Sequence, residues 1–291
     1  ILVADAFTSR RFDGNPAGVV PDAEGMTEDE MRLVAREVNA SETAFVFPSE
    51  TADFRLRFFT PACEVPFCGH AFLASAAALA DEGRIAVEGE FARLTLETAT
   101  GRHPADLRRG KGLWHAEMTQ PPALFRPVHH PADAVSECLG VEPSELDPSL
   151  PLETASTGLW HLMVPLRDPA SVARMRPRMG ALGDLNREMG ALGTHVFAPA
   201  GAGWRTRDFC PLAGVDEDPV TGSASGAMGA YLVRHGRAMP GDRLSLEQRR
   251  ADGRGGLVSV AVEGTRQAPG PVRVGGSVVV SLRGELEFGD G

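Results

Sequence analysis

The chain has 291 residues, enough for one large domain or two of ordinary size, and its 43% apolar content is that of a soluble globular protein. A net charge of −10 without a basic cluster argues against nucleic acid and anionic membranes as partners. The cysteines Cys63, Cys68, Cys138 and Cys210 lie too far apart for a disulfide framework, which points to reduced thiols and a cytoplasmic protein.

The first residues, Ile1 to Phe7, read as a strand and lack the charged start and apolar core of a signal peptide. Arg11 to Pro16 is a turn cluster and Ala17 to Val20 a second strand. Thr27 to Asn39 reads as an amphipathic helix. Thr27 caps it, Glu30 completes a capping box, and Met31, Leu33, Val34 and Val38 mark its apolar side. Ala44 to Phe47 and Phe54 to Phe59 are strands.

Ala71 to Ala80 is small or apolar on every side, so a helix there must be buried all round. Strands before and after it suggest a curved sheet that wraps it. The run is far short of the ~20 residues a bilayer span needs. Leu94 to Leu96 and Leu113 to Met118 read as strands, and the proline-rich stretch from Pro121 to Pro131 as the best domain boundary. Ser136 to Leu139 begins a short helix that Gly140 ends.

Gly158 to Val164 is a strand, followed by a helical region broken by Pro177. Thr194 to Ala198 and Trp204 to Phe209 are strands, and Ser225 to Val233 a second buried helix. Leu244 to Glu247, Val258 to Val262, Val272 to Val274 and Val278 to Leu286 are the late strands, with a hairpin turn near Gly253 to Gly256.

The stretch Asp216-Glu217-Asp218-Pro219-Val220-Thr221-Gly222-Ser223-Ala224 reads as an acidic loop that opens the second buried helix. The start of the first buried helix, Cys68-Gly69-His70-Ala71, is laid out alike. A shift of 153 positions puts Gly69 on Gly222, Ala71 on Ala224, Leu79 on Leu232 and Gly83 on Gly236. Upstream, a shift of 150 puts Val46-Phe47 on Val196-Phe197, Arg57 on Arg207 and Phe59 on Phe209. A duplicated chain follows, with extra residues in the acidic loop. The expected domains are residues 1–122 with about 275–288, and residues 123–274.

Two matched helix starts imply a cleft between similar halves. Free backbone N–H groups and the positive end of the dipole suit a carboxylate or an enolate, with Gly69 and Gly222 permitting close approach. His70, Asp218 and Ser223 supply acids and bases near these starts, and Glu42 sits in a polar stretch just before an apolar strand. Each has a plainer reading: Glu42 as a solvated strand edge, His70 as a helix-start residue, Asp218 as a dipole partner and Ser223 as a cap. Cys63 to His70 lacks a second cluster, so no metal is expected. No strand–GxGxxG–helix unit and no GxSxG elbow appears, and no organic cofactor is expected.

Several of these segments together resemble the PhzF-like proteins of phenazine biosynthesis, within the diaminopimelate-epimerase fold. They are Asp5-Ala6-Phe7, Gly14-Asn15-Pro16, Asn39 to Val46, Phe59-Thr60-Pro61, Cys68-Gly69-His70-Ala71 and Glu217 to Ala224, in family order over most of the chain. The resemblance implies an α+β fold of two pseudo-equivalent domains, each a barrel-like sheet around a central helix. It also implies a cofactor-free isomerase, usually a homodimer, with a small carboxylate-bearing substrate. Its catalytic glutamate falls on Glu42, and its supporting groups on His70, Asp218 and Ser223. The substrate-binding positions fall on Cys68, Gly69, Ala71, Thr221, Gly222 and Ala224. Ser225 sits where many relatives carry a larger polar residue, which implies an altered pocket. Two-thiol epimerases of this fold carry a cysteine before each helix glycine. Here the partner of Cys68 is Thr221, a far weaker acid, so one carboxylate moving a proton fits better. The expected reaction moves a double bond in a small unsaturated cyclic amino acid, dihydro-hydroxyanthranilate-like or an alkylproline precursor, in specialised metabolism. The rivals are an amino-acid epimerase or racemase and a non-catalytic binding protein.

Overall fold

The computed structural model describes residues 1–288. In chain order the first elements are β1 (Leu2–Ala6), β2 (Asn15–Val20), α1 (Glu28–Val38), β3 (Glu42–Phe47), β4 (Phe54–Phe59), β5 (Glu64–Val65), α2 (Gly69–Asp81), β6 (Phe91–Thr98), β7 (Gly101–Gly110) and β8 (Leu113–Gln120). Then follow β9 (Leu124–Pro127), α3 (Ala132–Leu139), β10 (Glu153–Ser156), β11 (Trp160–Pro165), α4 (Pro169–Arg174), α5 (Met179–Met189), β12 (Gly193–Ala200) and β13 (Gly203–Cys210). The last are β14 (Val215–Asp218), α6 (Gly222–Arg234), β15 (Arg243–Arg249), β16 (Gly255–Gly264) and β17 (Pro269–Arg283). Contacts group the chain into two compact units, Ile1–Thr119 with the segment from Gly275, and Gln120–Val274. Among the described residues no helix is long and apolar enough to cross a membrane.

In the first unit β1 pairs with β2 and with β17, β2 runs parallel to β3, and β3 antiparallel to β4. From β4 the sheet continues through β6, β7 and β8, and β8 returns to β17, which closes a barrel. Helix α2 contacts β1, β2, β3 and β7, and Ala71 to Ala80 are all buried. Six alanines among these ten residues keep the helix thin enough for strands to approach it from all sides. Helix α1 carries the parallel β2-to-β3 connection on the outside. Thr27 and Glu30 form the capping box, and Met31 and Val34 pack against Phe45 and Phe59.

The second unit repeats the plan. Strands β9, β10 and β11 run antiparallel in order, β11 is parallel to β12, and β13 lies between β12 and a parallel β15. Strand β16 follows β15, and β17 follows β16. Helices α4 and α5 carry the parallel connection, and Val172 and Leu182 pack with Val164, Val196 and Phe209. Helix α6 is buried from Ala224 to Val233.

The two central helices are each 13 residues long and keep the 153-residue spacing at both ends. Phe54 pairs with Leu96 as Trp204 pairs with Leu246, which keeps the 150-residue spacing in β13 and β15. Strand β12 departs from it. Val46 pairs with Leu56, but Val196 pairs with Arg207, so β12 is displaced by one residue. The matching of Val46-Phe47 to Val196-Phe197 was therefore out of register. Val196 faces the outer cluster, whereas Phe197 faces α6 with its ring 5.6 Å from Tyr231. Register follows the buried face rather than residue identity. The counterpart of Glu42 is thus Gly193, which faces His161 as Glu42 faces Ala17.

Other expectations also needed correction. The acidic loop is strand β14, paired to β13. The proline-rich link contains strand β9, paired to β10, itself unforeseen. The two late strands from Val272 and from Val278 are one strand, β17. Gly275 lets that strand pass Ala116, because a Cβ there would meet the Ala116 carbonyl oxygen at 2.5 Å. Strand β7 escaped notice because Ala105 and Leu107 are its only buried side chains.

Candidate active site

In the first unit the chemistry gathers at the start of α2. Cys68 is its N-cap, in extended conformation, with no side-chain cap bond. The first intrahelical bond runs from Phe72 N–H to the Cys68 carbonyl, so the N–H groups of Gly69, His70 and Ala71 precede it. Around Gly69 a Cβ would meet only Met118 Sδ, at 3.8 Å, which leaves room for a ligand to approach the backbone. Ala71 is fully enclosed, so only its N–H could serve a ligand.

Glu42 opens β3, and its side chain is 21% exposed. Its Oε2 lies 3.3 Å from His70 Nε2 yet is shielded from solvent and takes no hydrogen bond of acceptable geometry. Ser41 Oγ is also 3.3 Å from His70 Nε2, and Cys68 Sγ is 3.3 Å from His70 Nδ1. Burial pulls the His70 ring below its ordinary value, against the opposing effects of the Glu42 carboxylate and the Pro16 carbonyl. The ring is therefore neutral at pH 7, a hydrogen-bonding partner rather than a fixed charge. The expectation brought Cys68, Gly69, His70 and Glu42 to one place, and they are found together. Ser41 was missed; only its position beside Glu42 could have drawn attention to it.

In the second unit the start of α6 is built on a polar network. Thr221 is its N-cap, and Gly222, Ser223 and Ala224 precede the first intrahelical bond, from Ser225 N–H to the Thr221 carbonyl at 3.0 Å. The Thr221 hydroxyl lies 2.5 Å from Asp218 Oδ2 and 3.2 Å from Asp208 Oδ2, and Gln248 Nε2 donates to it at 3.1 Å. Gln248 also accepts from Thr221 N–H at 2.9 Å and donates to the Asp218 carbonyl at 2.8 Å. Thr221 is nine-tenths enclosed, so its side chain ties β14 to α6 instead of meeting a ligand. Ala224 and Ser225 are fully buried, which keeps both side chains out of any pocket.

Asp218 and Ser223 are half-buried, but the centre of the network is Asp208, which is fully buried with His161 and His195. His195 Nδ1 donates to Asp208 Oδ1 at 2.9 Å, and Cys210 Sγ donates to Oδ2 at 3.0 Å. His161 Nδ1 stands 3.5 Å from Oδ1, and His161 Nε2 lies 3.3 Å from Ser223 Oγ. Burial alone would raise the Asp208 carboxyl, but the two histidines outweigh it and hold the group well below the usual carboxylate range. Burial and the Asp208 charge push the Cys210 thiol well up, so it remains a donor. His161, His195 and Asp208 were not singled out from sequence. The available signal was polar His161 and His195 within otherwise apolar strands.

Among the described residues, two groups have donor atoms within 4.8 Å of one another: Glu42, Cys68 and His70, and His161, Asp208 and Cys210. Each mixes donor types that zinc accepts, but in the second the thiol is protonated and already bonded to Asp208.

A family model described as phenazine biosynthesis-like protein, PhzC-PhzF, matches residues 4–284. The chain is 35% identical over 278 residues to trans-2,3-dihydro-3-hydroxyanthranilate isomerase of Pseudomonas aeruginosa, covering 95% of each protein. It is 40% identical to a protein of Deinococcus radiodurans named as an isomerase, over 96% of this chain and 92% of the other. Among solved structures, the PhzF-family phenazine biosynthesis protein of Bacillus anthracis superposes with a TM-score of 0.90 at 32% identity, over 99% of this chain and 98% of that one. A hydroxyproline epimerase of Agrobacterium vitis shares the fold, with a TM-score of 0.65 at 15% identity, over 96% and 88%.

Proposed function

Because this chain belongs to the phenazine biosynthesis-like PhzC-PhzF family and is an isomerase, we propose that it moves a proton, and with it a double bond, within a small unsaturated cyclic amino acid. The observation that carries this reading is the Glu42–His70 pair: a shielded carboxylate oxygen with an unused lone pair, 3.3 Å from a neutral imidazole at a helix start. Glu42 takes a proton from a carbon conjugated to the substrate carboxylate. The electron pair of that C–H bond becomes a dienolate, which the N–H groups at the start of α2 and the His70 ring stabilise. Glu42 then returns the proton to another carbon of the same conjugated system. Atoms and electrons balance without an oxidant or a second substrate.

The Pseudomonas aeruginosa relative is named for a dihydro-hydroxyanthranilate; a substrate of that kind, or an alkylproline precursor, is proposed here. Asp218 and Ser223 are proposed as supporting groups. A role in natural-product biosynthesis, a cytoplasmic location and a homodimer belong to the same proposal. Inversion by two opposed thiols is the weaker reading, because the counterpart of Cys68 is Thr221, whose hydroxyl is held by Asp218 and Gln248.

The test is proton–deuterium exchange by NMR in D₂O across a panel of unsaturated cyclic amino acids. Exchange and double-bond migration should fall by about 10²–10⁴-fold in Glu42→Gln. Migration at the wild-type rate in that variant refutes the assignment of Glu42. Exchange with inversion and no migration supports an epimerase.

A further inference from the structure

The reaction proposed above leaves the buried acid–base set of the second unit without a task. Strand register makes Gly193 the counterpart of Glu42, and the 153-residue spacing makes Ser223 the counterpart of His70. No side chain fits at Gly193: a Cβ would lie 2.5 Å from Cys210 Sγ and 2.8 Å from the Phe209 carbonyl oxygen. The titratable group that reaches the helix start comes from the neighbouring strand instead. It is His161, whose Nε2 lies 3.3 Å from Ser223 Oγ, the same separation as Glu42 Oε2 and His70 Nε2.

The barrel plan does not require these polar groups. In the first unit the counterparts of His161, His195 and Asp208 are Ala17, Ala44 and Phe58, all buried. An enclosed carboxylate with two enclosed imidazoles is unfavourable unless each is bonded, and an apolar core is the cheaper solution. Their presence beside Ser223 calls for a role there.

We infer that His161, whose Nδ1 faces the Asp208 carboxylate at 3.5 Å without a hydrogen bond of acceptable geometry, is a positioning residue for Ser223. The carboxylate can only accept, so it favours a proton on Nδ1 of the ring beside it. In the neutral ring that tautomer makes His161 Nε2 an acceptor, to which Ser223 donates. The hydroxyl is thereby fixed in one rotamer, with its lone pairs left for an N–H or O–H group of a ligand. The separations of 3.3 Å and 3.5 Å exceed the ~2.6–3.2 Å of an activated nucleophile. The arrangement therefore orients Ser223 and does not ionise it. An effect on turnover rests on the reading that Ser223 takes part in the reaction; the tautomer and the hydroxyl contact do not.

The experiment is ¹⁵N NMR of the histidine rings, combined with the exchange assay. His161 should carry its proton on Nδ1. Ser223→Ala should shift the His161 Nε2 signal to that of an unbonded acceptor, and Asp208→Asn should weaken the tautomer preference. In the exchange assay His161→Phe should lose about 10²-fold through misplacement of Ser223. His161→Gln, whose amide oxygen can accept the same bond, should recover most of that. In a Ser223→Ala background His161→Phe should add no further loss. Circular dichroism checks that each variant is folded.

Three results overturn the inference: a His161 Nε2 signal indifferent to Ser223→Ala, covalent labelling of Ser223 by a fluorophosphonate, or one equivalent of zinc retained through His161, Asp208 and Cys210. If no compound on the panel is turned over, the proposed function falls, and the ring signals still decide this inference.

Discussion

Asp208→Asn and Asp208→Leu separate the charge of the buried network from its shape. Donors converge on this carboxylate from His195 at 2.9 Å and Cys210 at 3.0 Å, while the single proton of the Thr221 hydroxyl, 3.2 Å away, goes to Asp218 at 2.5 Å. A hydrogen bond to an ionised acceptor contributes about 1.5–3 kcal/mol and one to a neutral acceptor about 0.5–1.5. Asparagine thus loses about 1 kcal/mol per bond, while relief of the carboxylate's desolvation returns part of that. The expected net loss at pH 7 is about 1–2 kcal/mol. Leucine leaves the buried donors without an acceptor and should lose about 3–5 kcal/mol. Urea unfolding at pH 7 and at about pH 3 measures both. The folded carboxyl is depressed below its unfolded value of 3.8, so its stabilisation is complete above that pH and is lost as pH falls below it. The gap between wild type and Asp208→Asn should therefore narrow by about 1 kcal/mol at about pH 3. Equal stability of Asp208→Leu and wild type at pH 7, or a gap unchanged by acid, refutes the account of a charged, donor-filled centre.

Gly193→Ala forces a Cβ against Cys210 Sγ and the Phe209 carbonyl and should lower stability by about 1–3 kcal/mol in thermal unfolding. The His70 ring is held below its unfolded value of 6.5, so the unfolded chain binds a proton that the folded one refuses as pH falls below that value. Wild type should lose stability from about pH 7 towards pH 5, and His70→Asn should lose less over the same window, read by urea midpoints. Thr27→Ala removes the α1 capping box and should lower stability by about 1 kcal/mol without changing turnover.

Much of this was legible in the sequence, for local reasons. Thr27 and Glu30 act within one turn, so the start of α1 needed no tertiary information. Ala71 to Ala80 and Ser225 to Val233 are apolar on all sides, which marked them as enclosed helices before any sheet was known. Glu42, Cys68 and His70 were singled out from sequence, and the fold brings them together because β3 pairs beside β2 within reach of the start of α2.

The duplicated plan, the two central helices and the residues at their starts follow from local sequence, because helix patterning and end signals depend on neighbours within a few positions. The tertiary structure alone decided the register of β12 and the meeting of His161, His195 and Asp208. Those residues stand on β11, β12 and β13, and only cross-strand pairing brings them together. Strand register follows which face meets α6, so a one-residue displacement moved the counterpart of Glu42 to Gly193 and left its place to His161.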